Sequence, residues 1–127
     1  MNPFITKSDI WKRHRSGIYL IELSNKNETF QKIGVSINKY CRFNQIAKHG
    51  YNVRIIYFVT HIHNKHINDK LELILHSFFN HLSYIPKTKF PGYTECFKNI
   101  DTDKYKSIFN GIAYYGEVIE NYHIKAQ

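Results

Sequence analysis

Short apolar blocks dominate the first half of the chain. Residues 17–23 (GIYLIEL) and 30–36 (FQKIGVS) are β-branched and aromatic runs, and Ser24-Asn25-Lys26-Asn27-Glu28-Thr29 between them is a polar stretch suited to a hairpin loop, so an antiparallel pair is predicted. After Gly34 the period changes to that of a helix. Phe43, Ile46 and Ala47 recur at helical spacing, Ser36 or Asn38 is the expected N-cap, and Gly50 is placed to end the helix, with Arg42 in an early turn. Residues 53–60 (VRIIYFVT) are too apolar for a loop and too short for an ordinary helix, and predict a third, central strand.

From Asn68 onward, Leu71, Ile74, Leu75, Phe78, Phe79 and Leu82 fall on one stripe of a longer helix, with Glu72 and His76, four apart, on a flanking face. The segment from Pro86 to Thr94 holds Pro86, Pro91 and Gly92 and is expected to be irregular, and Glu95-Cys96-Phe97 to be a short extended piece. Residues 101–115 predict a last helix, capped by Asp101 or Thr102 and packing through Tyr105, Ile108, Phe109 and Ile112. The order strand, strand, helix, strand, helix, helix implies an α+β fold: a small three-stranded antiparallel sheet flanked by helices, a ββαβα core plus a C-terminal helix.

At 127 residues the chain is the size of one domain, read as a core of about 16–98, a basic leader at 1–15 and a C-terminal helical extension at 99–127. The formal charge of +8 is concentrated early, where residues 1–60 carry ten Lys and Arg against Asp9, Glu22 and Glu28. That asymmetry favours a polyanionic partner, nucleic acid before an anionic membrane surface. No apolar run approaches the roughly 18 residues of a membrane span, and the N-terminus lacks the apolar region of a secretion signal. The expected location is therefore cytoplasmic, in a bacterium or the host cell of a phage or other virus. Richness in Asn, Lys, Ile and Tyr fits an AT-rich genome. Cys41 and Cys96, with no CxxC companion, read as reduced, semi-buried thiols.

Two triplets stand out. Gly17-Ile18-Tyr19 opens the first apolar run and Lys32-Ile33-Gly34 lies in the second, so a hairpin sets Tyr19 and Lys32 side by side. With Arg42 eight residues past Gly34 and Glu72 on the long helix, the chain resembles the GIY-YIG nuclease superfamily, and its phage-type branch that writes the second motif as Lys-Ile-Gly. That branch tends to carry a Glu-x-x-x-His helix, matched by Glu72 and His76, then a Glu-aromatic-Phe-like segment, echoed by Glu95-Cys96-Phe97. The likeness covers about residues 16–98. It departs from the wider superfamily at Lys32, where many members have Tyr, and lacks a clear counterpart of a late asparagine.

The resemblance implies a metal-dependent endonuclease that hydrolyses phosphodiester bonds. Glu72 is the implied ligand for one Mg²⁺ (or Mn²⁺), a hard cation that suits a carboxylate oxygen. Tyr19 is the implied general base or orients the attacking water, with Lys32 stabilising its phenolate or contacting phosphate. Arg42 clamps phosphate oxygens, and His76 positions water or donates to the scissile phosphate. Glu95 reads either as a second acidic ligand or as an anchor for the 86–94 segment through backbone amides, the anchor being favoured. His61, His63 and His66 read as solvent- or DNA-facing rather than as zinc ligands.

Phosphate contacts outside the chemistry are expected from Arg13, Arg15, Lys39, Lys48 and Arg54, with Lys7 and Lys12, and Trp11 is expected to pack on the sheet. The expected substrate is double-stranded DNA. No recognition helix of known type is evident, so specificity is low or comes from a homo-oligomer or a partner. Two other functions fit the same pattern: a catalytically weak or inactive nuclease-derived module that binds nucleic acid or protein, and an RNA nuclease.

Overall fold

The computed structural model describes residues 17–36, 39–60, 65–110 and 118–127. Strand β1 (Gly17–Ser24) carries apolar side chains on both faces, from Ile18 and Leu20 on one to Tyr19, Ile21 and Leu23 on the other. Only a strand covered above and below tolerates that pattern, and β1 takes the middle of the sheet. It pairs antiparallel with β2 (Thr29–Ser36), Tyr19 opposite Gly34, and with β3 (Asn52–Thr60), Tyr19 opposite Phe58. The expected hairpin is therefore present. The middle position expected for β3 belongs to β1, although β3 is still flanked on both sides.

The fold is α+β, but its antiparallel sheet has five strands among the described residues rather than three, in the order β4-β2-β1-β3-β5. Strand β4 (Cys96–Phe97) is the short extended piece, recruited by pairing with Gln31 and Lys32. Strand β5 (Val118–Ile124) pairs along β3, where a helical extension was expected. Its two buried residues, Ile119 and Ile124, are five apart, and a regular strand would send them to opposite faces. Asn121, at φ 53°, breaks the alternation and lets both face the same core.

Helix α1 (Lys39–Lys48) lays Phe43, Ile46 and Ala47 on the face that holds Tyr19, Ile21 and Val53, and it ends at Gly50, where φ is 92°. The other face is covered by α2 (Lys65–Phe78) and α3 (Thr102–Asn110). Asp101 caps α3 by accepting the amides of Asp103 and Lys104. That helix packs through Tyr105 and Phe109, while Ile112 lies outside the described residues. Among the described side chains of α2 only Leu71 and Leu75 are buried, followed by Phe79 just beyond the helix. Ile74 and Phe78, expected in the core, are 53% and 48% exposed, because the helix turns Glu72 and His76 rather than the far side of its stripe toward the sheet. Among the described residues no helix is long and apolar enough to cross a membrane.

Candidate active site

Tyr19 and Lys32 are brought together by the β1–β2 register. Lys32 sits opposite Ile21, diagonal to Tyr19, on the same face of the sheet. The Lys32 ammonium donates to Tyr19 Oη at 2.9 Å and to Glu95 Oε2 at 3.0 Å. Lys32 is only 1% exposed, as is Tyr19. Burial pulls a lysine toward its neutral form, but here the Tyr19 oxygen and the Glu95 carboxylate outweigh burial, and Lys32 is held above the ordinary lysine value. The Tyr19 ring is fixed edge-on against Phe43, with centroids 5.0 Å apart.

Two glycines make room for this pair. A methyl group built on Gly34 would stand 2.4 Å from Tyr19 Oη and 2.9 Å from Lys32 Nζ. One built on Gly92, itself in the left-handed region at φ 88°, would stand 2.8 Å from Lys32 Cε and 3.5 Å from Arg42 Nη1. The guanidinium of Arg42, half-buried on α1, therefore comes up beside Gly92 on the side of Lys32.

The acidic side of the site follows from the shortness of β4. Pairing with β4 ends at Lys32, so among the described residues the outer edge of β2 runs on past it without a strand. Helix α2 closes that edge with two side chains. His76 Nε2 donates to the Ile33 carbonyl at 2.9 Å, and the Val35 amide donates to the Glu72 carboxylate. Because a carbonyl only accepts, His76 carries a proton on Nε2. The ring stands edge-on to Phe97, with centroids 5.2 Å apart.

Ligand atoms of Glu72, His76 and Glu95 lie within 4.8 Å of one another. Burial and the nearby Glu95 raise the Glu72 carboxyl above its usual range, outweighing the pull of His76 and Lys32. Two carboxylates at close range beside an imidazole offer a donor set that suits a divalent cation. Tyr19, Lys32, Arg42, Glu72 and His76 are thus gathered at one place.

The basic residues expected to bind phosphate are not gathered in the same way. Arg54 lies on the opposite face of the sheet from Tyr19 and is paired with its cross-strand neighbour Glu22 at 3.3 Å and with Asn121. Lys48 is exposed at the end of α1. Lys39 begins α1, and its side chain lies outside the described residues, as do the leader with Lys7, Trp11, Lys12, Arg13 and Arg15 and the side chains of His61, His63, His66 and Cys41. Cys96 is buried, and burial pushes its thiol up to about 12, which leaves it inert.

Glu95 is not the anchor of the 86–94 segment, since its carboxylate takes Lys32. The anchor is Glu28, read in the sequence as one polar residue of a hairpin loop. Its carboxylate accepts the Tyr51 hydroxyl at 2.6 Å, the Tyr84 hydroxyl, and the Lys87 amide at 3.1 and 3.2 Å. Burial raises a carboxyl, but these donors outweigh it and hold Glu28 below its usual range. Phe90 of the same segment packs against Phe30 and Tyr51, so the loop that brings Gly92 and Glu95 over Lys32 is pinned at its base.

No family model, curated protein or solved structure matches this chain. A reading of its function therefore stands on the site itself and on the motifs it contains.

Proposed function

We propose that this protein is a GIY-YIG-type endonuclease that hydrolyses phosphodiester bonds in double-stranded DNA with a divalent cation. What supports the reading is the convergence of Tyr19, Lys32, Arg42, Glu72 and His76 on one edge of the sheet, with Lys32 Nζ 2.9 Å from the phenol oxygen. Glu72 would hold Mg²⁺ or Mn²⁺, which would supply positive charge for the leaving oxygen, and His76 would position a water or donate to the scissile phosphate. Tyr19 Oη takes the proton of the attacking water, directly or through a second water. The Lys32 ammonium would stabilise the phenolate form of Tyr19 that accepts this proton. Arg42 spreads two N–H donors over the non-bridging phosphate oxygens.

A supercoiled plasmid incubated with Mg²⁺ is the direct test. Wild-type protein nicks it, chelation stops the reaction, and Glu72→Gln, which keeps an acceptor for the Val35 amide, loses cleavage while retaining the fold. Equal residual cleavage by wild type and Glu72→Gln refutes the proposal. Structured RNA and single-stranded DNA run beside the plasmid identify the substrate class.

The 1% exposure of Tyr19 and of Lys32 favours a second reading, a nuclease-derived module that binds DNA without cutting it. It predicts salt-dependent binding with no divalent-dependent cleavage of any of the three substrates.

A further inference from the structure

We infer that Glu95 is a positioning residue that acts through Lys32, aiming its ammonium at the Tyr19 oxygen, and that it is not a ligand of the cation. This rests on the proposed nuclease reading but assigns a residue that the reading leaves without a role. The aliphatic stem of Lys32 is confined first: a Cβ at Gly92 would stand 2.8 Å from its Cε and one at Gly34 2.9 Å from its Nζ, so neither position tolerates a larger residue without displacing the lysine. The last torsion is then set by two acceptors, Tyr19 Oη at 2.9 Å and Glu95 Oε2 at 3.0 Å. Tyr19 lies on the same rigid hairpin as Lys32. Glu95 supplies the formal countercharge, from the 3₁₀ turn Tyr93–Glu95 that leads into β4.

The two acidic residues differ in what they already satisfy. Glu95 is in an ion pair with a buried ammonium, which offsets its charge. Among the described residues Glu72 has the Val35 amide but no ion pair as short as that one. A cation gains more from Glu72 than from Glu95, and removing Glu95 strips Lys32 of its aim rather than the metal of a ligand.

Three measurements on the full chain separate these roles. With lysine labelled with nitrogen-15, the Lys32 ammonium, identified by its loss in Lys32→Met, gives a resolved, slowly exchanging signal in wild type that broadens or shifts in Glu95→Gln; an unchanged signal overturns the proposal. Mn²⁺ titration followed by paramagnetic broadening shows Glu95→Gln within about twofold of wild type and Glu72→Gln weakened by about 10- to 100-fold; equal weakening of the two variants overturns it. In plasmid nicking, Glu95→Gln lowers kcat by about 10- to 100-fold with little change in KM, the pattern of a misaimed reacting group, and Glu95→Asp recovers part of the loss; wild-type kcat in Glu95→Gln overturns it. Absence of nicking in wild type defeats the nuclease reading alone, because the ammonium signal reports the positioning independently of cleavage.

Discussion

Gly34→Ala tests the geometry of the site with a single methyl group. That methyl would meet Tyr19 Oη at 2.4 Å and Cζ at 2.6 Å, where ordinary van der Waals contact begins at 3.4 Å, so the phenol must retreat by about 1 Å. Retreat is opposed on two sides. Phe43 holds the ring edge-on at 5.0 Å, and Lys32 Nζ, which the new methyl also meets at 2.9 Å, is tied to the phenol oxygen. Overpacking of this kind costs about 1–3 kcal/mol, which chemical denaturation reads as a lower midpoint at unchanged slope. A displacement of about 1 Å at a reacting group costs about 100-fold in rate, so nicking should fall much further than the lost stability accounts for under conditions where the variant is folded. The control is Gly50→Ala, where nothing lies within 4 Å and only the left-handed backbone at φ 92° is strained. It should lose about 1 kcal/mol and keep full nicking. If Gly34→Ala matches wild type in denaturation midpoint, the phenol does not lie over Gly34 and the reasoning fails.

Further outcomes concern the two buried-side carboxylates. Glu28 is held below its usual range, so its contribution is present above the unfolded value of 4.5 and is lost as pH falls through the lower folded value. Glu28→Gln should therefore destabilise the protein by about 2 kcal/mol at neutral pH and flatten the acid limb of a melting-temperature profile; an acid limb identical to wild type contradicts the role given to Glu28. Glu72 has the opposite sign. Its raised folded value means that the protonated form is favoured by the fold, and stability is lost as pH rises from 4.5 through that value. Glu72→Gln should melt at or above wild type at pH 8 and converge with it below 4.5, and a variant that melts lower at pH 8 than at pH 4 relative to wild type excludes this cost.

Much of the sheet was legible because its inner strands are dense in β-branched and aromatic residues, and a hairpin needs only local signals. Of the outer strands, β4 was legible only as a short extended piece at Glu95-Cys96-Phe97, and β5 was not legible. β4 is two residues long and exists through its pairing with Gln31 and Lys32, not through a pattern of its own. β5 hides its period because the left-handed Asn121 puts Ile119 and Ile124 on one face at a spacing that neither strand nor helix predicts. On α2 the apolar stripe was wider than the buried arc, since the sheet edge claims the flank with Glu72 and His76.

The site was legible as a set of residue types in order, and the hairpin register accounts for Tyr19 beside Lys32. Glu28 carried no local signal, since its partners lie 23 to 59 residues further along the chain. Glu95 was visible as an acid, but only the contact with Lys32 across 63 residues separates a partner of the lysine from an anchor of the loop. Arg54 was read as part of a general basic surface, and the cross-strand Glu22 that engages it was in view without the register that joins them.

The side chains that seal the outer edge of β2 past Lys32 are the ones assigned to hydrolysis, Glu72 and His76. An unguarded strand edge is a template for adding another chain. Substitutions that silence this protein by shortening both residues would therefore uncover a sticky rim along Ile33 to Val35, and the dead variants would be prone to self-association. The proposed chemistry and the covering of this edge rest on the same two side chains, which narrows the replacements these positions can accept to those that still offer a donor at 76 and an acceptor at 72.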